Sequence, residues 1–139
     1  MTSLKFNFFI SIAKSIFCSI FVLILTIYKD DSLMTIQTAY DLTKLDKNSI
    51  VRVAGIVTLR QRPGTANGVI FLSLEDETGT INIICWKNIF NKFHRQILLS
   101  KLLLIEGLMQ KEHGVINIVA HSIKDISELL KLLPKINKF

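Results

Sequence analysis

The sequence predicts a mainly-β domain, a five-stranded closed barrel with one helix inserted between the third and fourth strands. Three observations carry that expectation. Val51 to Trp86 runs as alternating apolar and polar stretches broken by turn residues, which reads as a meander. Asn88 to Ser100 changes to helical spacing, and Lys101 to Ile123 returns to strand-like patterning. Gly55 and Gly107 interrupt the first and fourth strands, where a closing barrel has to bend.

The 139 residues suit one folded domain. Lys and Arg number 17 against 11 Asp and Glu, a net charge of +6. That excess suits a polyanionic partner. Apolar residues make up 50% of the chain, which excludes a disordered tail. The two cysteines, Cys18 and Cys85, stand in unlike contexts and form no disulfide framework. With His94, His113 and His121 they give no metal-ligand spacing, so neither a metal nor another cofactor is expected.

Residues 1–33 form a separate N-terminal segment. Phe6 to Tyr28 is almost wholly apolar, broken by Lys14. A membrane helix needs about 20 apolar residues, and this run is long enough. A signal peptide would want a small-residue cleavage site, and none stands before Asp30. The third reading starts the protein at Met34 and agrees best with a cytoplasmic module that has a polyanionic partner. A single-pass membrane tether through residues 6–28 is the alternative. Residues 34–133 form the barrel domain, and 134–139 are a basic tail.

Within the domain, Thr35 to Lys47 predicts a short helix with Ala39, Leu42 and Leu45 on one side. Ile50 to Arg60 is the first strand. Val51, Val53, Val57 and Leu59 share one of its faces; Arg52, Thr58 and Arg60 share the other. Gln61 to Gly68 carries Pro-Gly and Asn-Gly turn signals and reads as a loop. Val69 to Leu74 and Thr80 to Trp86 are the second and third strands, joined by the acidic turn Glu75 to Gly79. In the helix after them, Ile89, Phe90, Phe93 and Ile97 recur on one side and would close one barrel end. Lys101 to Lys111, a turn at Glu112 to Gly114, and Val115 to Ile123 complete the strands. Lys124 to Leu133 predicts a short amphipathic helix stopped by Pro134. This order of five strands and a helix is the OB topology. Such barrels bind single-stranded nucleic acid on one sheet face and its adjoining loops.

Strand parity selects the candidate ligand residues. Ile70, Leu72 and Leu74 read as interior, which leaves Phe71 outside as a platform for stacking a base. Ile81, Ile83 and Cys85 read as interior, which leaves Asn82 facing out where it can read a base edge. Trp86, at the strand end, reads as a core or helix-packing residue. Arg60 and Arg62 flank the Gly/Pro loop, and guanidiniums there suit phosphates. Lys111 and His113 occupy the other loop that such barrels use for ligands. Glu75, Asp76 and Glu77 are the one acidic cluster and read as a solvated turn. No Ser/His/Asp set, phosphate-binding Gly loop or HExxH is present, so no catalysis and no small-molecule substrate are expected.

The stretch RVAGIVTLRQRPGTANGVIFLSLEDETG, continued by INIICW, NIFNKFHRQIL and LLLIEGLMQKEHGVINIVAHSIKDISELL, resembles a known module. It is similar to the OB-fold near the C-terminus of error-prone, C-family bacterial DNA polymerases, paralogues of the replicative α-subunit used in translesion synthesis and DNA repair. The resemblance spans Ile36 to Leu133, and RQRPGTANGVIF is its most specific string. It implies single-stranded DNA as partner, with RNA as an alternative, and little sequence preference. It also implies a fragment detached from the catalytic polymerase domains. VIFLSLED further resembles the anticodon-binding domains of class II aminoacyl-tRNA synthetases. There the residue matching Phe71 stacks on a base and the one matching Asn82, usually Gln, lies near it. The rival expectations are a module that docks damage-tolerance proteins, and a membrane-tethered or non-functional remnant.

Overall fold

A computed structural model of the chain describes residues 35–65 and 67–132. The expectations for residues 1–33 and 134–139, the membrane span included, lie outside them. Among the described residues no helix is long and apolar enough to cross a membrane.

The element order is α1 (Ala39–Lys44), β1 (Ile50–Gln61), β2 (Ile70–Glu75), β3 (Thr80–Cys85), α2 (Lys87–Leu99), β4 (Leu102–Glu112) and β5 (Val115–Asp125), then a 3₁₀ helix at Ser127–Leu132. The five strands close into a barrel in the order β1-β2-β3-β5-β4. Neighbours are antiparallel except β3 and β5, whose parallel pairing completes the ring. The expected five-stranded barrel with a helix between its third and fourth strands is therefore what the chain forms.

Period-two patterning puts Val51, Val53, Leu72, Leu74, Ile83, Ile105 and Ile118 inside the barrel, all buried. Ile97 of α2 joins that core, with Ile89, Phe90 and Phe93 packed against it. The predicted helical face is thus the one that packs. At Gly107, a Cβ would stand 2.2 Å from Val119 O, and at Gly55, 2.9 Å from Glu75 O. These strands cross so closely that only glycine fits, as the sequence predicted for bend points.

A second cluster lies outside the barrel. Ala54 and Leu104 are paired across β1 and β4, as are Ile56 and Leu102. Ile36, Ile126 and Leu129 cover them. The outer face of β1 and β4 is thus closed by the segments flanking the barrel.

Four local expectations need correction. The first helix is shorter than Thr35–Lys47, because Gln37 is drawn into a bridge with Val53 and Thr38 caps the helix. The predicted helix from Lys124 is instead two more residues of β5 followed by a 3₁₀ turn. Ser127 Oγ accepts from the amides of Lys101 and Leu102, and this fixes the turn on β4. The first strand changes parity, because its register shifts between Val57 and Leu59. Val57 packs on the core as expected, but Leu59 emerges 47% exposed and Arg60 falls opposite the interior Leu72. Asp76, read as solvated, is buried. It accepts from Ala39 N at 2.7 Å, Thr78 N and Oγ1 at 2.8 Å each, and Gly79 N at 3.0 Å.

Candidate nucleic-acid interface

Among the described residues, the outer side of β2, β3 and β5 carries no packed apolar cluster like the one on β1 and β4. Directly paired residues share a face, so the register lays this surface out in rows. One row runs Phe71, Ile84, Val119, Leu108, with Gln61 beside Phe71. The next runs Ser73, Asn82, Asn117, Gln110, with Leu59 beside Ser73. An apolar row therefore abuts an uncharged hydrogen-bonding row. Ring faces suit the first, and base edges suit the second.

Phe71 is 38% exposed, as strand parity predicted. Asn82 is also exposed. Its Nδ2 donates to Ile116 O at 3.4 Å, which leaves Oδ1 and a second N–H for other partners. Asn117, opposite Asn82 on β5, is a member of the row that sequence reasoning missed. Strand alternation gives each strand's faces, but only the parallel β3–β5 register reveals which residues become neighbours. Trp86 is likewise misjudged by sequence. It is 53% exposed and is the N-cap residue of α2.

Two loops bracket this face at opposite ends. The β1–β2 loop lies beyond Phe71, and there Arg62 sets its guanidinium carbon 5.0 Å from the Phe90 ring centroid. The β4–β5 turn lies beyond Asn117. His113 stands exposed in it with φ 50°, beside Gly114 with φ 79°. These left-handed values belong to the two-residue hairpin turn that matches strand twist.

The other two predicted cations sit on the barrel rims, off the outer face. Arg60, turned by the register shift, donates from Nε to Ile97 O at 2.7 Å and from Nη2 to Ser100 O. These are carbonyls at the C-terminus of α2, whose last turn has no basic residue of its own. Lys111 pairs with Ile116, and its Nζ donates to Thr43 O at 3.2 Å and to Leu45 O, at the end of α1. Each cation thus closes a helix C-terminus. Arg52 pairs with Glu106 at 3.4 Å across β1 and β4.

Residues 38–126 match the family model described as an OB-fold nucleic acid binding domain of the tRNA anti-codon type. Over 105 residues the chain is 46% identical to error-prone DNA polymerase 1 of Rhizobium meliloti (strain 1021), covering 76% of this chain and 9% of that protein. It is 42% identical over 92 residues to the error-prone DNA polymerase of Idiomarina loihiensis, again covering 9% of that protein. The chain thus spans about a tenth of the length of the curated relatives it matches. Among solved structures, asparaginyl-tRNA synthetase from Pyrococcus horikoshii shares the fold with a TM-score of 0.57 and 22% identity, over 68% of this chain and 23% of that one. Barrel, helix position and family model agree: the chain belongs to the OB-fold nucleic acid binding domains of the tRNA anti-codon family.

Proposed function

We propose that the chain binds single-stranded DNA across the outer face of β2, β3 and β5, as an accessory module of the error-prone polymerase type acting in translesion repair. Phe71 stacks on a base and Asn82 meets a base edge. Arg62 and His113 meet the strand at the two ends of the face. Arg60 and Lys111 add positive potential from the rims and offer phosphates the donors that the helix carbonyls leave free. No residue of the chain is assigned a catalytic role, and the location that suits this reading is the cytoplasm. The observation that carries it is the pair of adjoining rows, one aromatic and aliphatic with Phe71 exposed at its end, one amide and hydroxyl with Asn82 and Gln110 exposed.

The test is fluorescence anisotropy of a labelled oligothymidylate titrated with the full chain. Phe71→Ala weakens binding roughly 5- to 100-fold, the effect of losing one stacking platform. Affinity falls as salt rises, and Arg62→Ala makes that dependence shallower by about 0.7 in log–log slope for one lost phosphate. Salt-independent affinity, or no binding, contradicts the proposal. An RNA oligomer of the same length that competes better would replace DNA as the partner.

A second reading, docking of damage-tolerance proteins, is favoured by Leu98 and Leu99, which stand 48% and 72% exposed at the end of α2. Recovery of protein partners after nuclease treatment, lost in Leu99→Asp, would support it.

A further inference from the structure

We infer that Trp86 is a second base-stacking platform, so that the face holds two bases of one single strand, one on Phe71 and one on Trp86. The inference deepens the proposed single-strand binding and rests on it.

Position is the first argument. Phe71 is paired with Ile84, and Trp86 lies two residues beyond Ile84, just past the end of β3, with its backbone still extended (φ −65°, ψ 160°). Residues in that diagonal relation stand about 7–8 Å apart, within reach of aromatic side chains. Both exposed aromatic residues thus stand at the β1–β2 loop end of the face. Exposure is the second argument. A tryptophan gains more from burial than any other side chain, yet 53% of this one is left in solvent. The buried core takes in its neighbour Cys85, and Ile97 of α2, but not Trp86.

Charge complementarity names the occupant. Trp86 is followed by Lys87, and Lys87 lies along the β1–β2 loop: a Cβ on Gly68 would stand 3.3 Å from Lys87 Cγ. Arg62 reaches the same corner and rests on Phe90 in the first turn of α2. An indole flanked by an ammonium and a guanidinium suits a base with its phosphates on either side. A purely apolar partner would leave both cations facing uncharged surface. The face then takes a short run of consecutive nucleotides, entering beside the β1–β2 loop.

Trp86 is the single tryptophan of the chain, so its own fluorescence reports on it. The full chain is titrated with unlabelled oligothymidylate while tryptophan emission is recorded, and binding is measured separately by anisotropy. The expected result is quenching that saturates with the anisotropy curve. Trp86→Ala should weaken binding roughly 5- to 100-fold, and Trp86→Phe should recover most of it. A merely structural tryptophan would not be quenched in step with binding, so the unmutated protein decides the matter even if Trp86→Ala unfolds. Binding with unchanged emission, and with Trp86→Phe indistinguishable from Trp86→Ala, overturns this inference and leaves Phe71 as the sole platform. Absence of any anisotropy change overturns it together with the reading on which it rests.

Discussion

Asp76 shows what a single side chain contributes here. Its carboxylate holds the β2–β3 turn through Thr78 and Gly79 and reaches the first amide of α1 through Ala39. Thr78 Oγ1 takes the next amide, Tyr40 N, at 3.0 Å, and Thr38 Oγ1 takes Asp41 N at 3.1 Å. Three otherwise orphaned helix donors are thereby satisfied, two of them from a turn far along the chain. Asp76→Ala should cost about 1.5–3 kcal/mol of stability in urea unfolding, since hydrogen bonds to a buried carboxylate are lost together. Asp76→Asn should recover part of that. Cys85 is the opposite kind of residue. Burial pushes its thiol up to about 12, so almost no thiolate exists near neutral pH. In the native protein Cys85 should resist alkylation at pH 8, and mass spectrometry should find it modified only after denaturant is added.

At the scale of elements, the strands and α2 were legible because their apolar residues repeat at one period over six or more positions. The shift at Thr58 was not legible. It carries no glycine or proline to mark it, and it arises from how β1 must serve both β2 and β4. Its effect is large, because every residue after a bulge changes sides. Leu59 moves out and Arg60 moves to the rim, where it caps α2. Arg60→Gln should therefore lower stability by about 1 kcal/mol, the worth of a cation at a helix C-terminus. It should flatten the salt dependence of oligonucleotide binding less than Arg62→Ala does. Equal effects of the two variants on that slope, with stability unchanged, would make Arg60 a phosphate ligand with no capping role. Trp86 was misread for a related reason. An aromatic residue ending an apolar strand looks like core until the turn into α2 shows which way it faces.

For the whole molecule, the decisive asymmetry is between the two outer faces of one barrel. The β1–β4 face is closed by Ile36, Ile126 and Leu129, while among the described residues no such cluster packs on the β2–β3–β5 face. The parity of Phe71 and Asn82 already pointed to that second face. The membership of Asn117 and Val119 required the closure of the ring through β3 and β5. The direct test of the account is a two-dimensional amide NMR titration of the full chain with oligothymidylate. Shifts concentrated at Phe71, Ser73, Asn82, Ile84 and Asn117, with Ala54 and Leu104 unmoved, are the predicted result. Shifts centred on the β1–β4 face or on the C-terminal 3₁₀ turn, or none at saturating oligonucleotide, would contradict it.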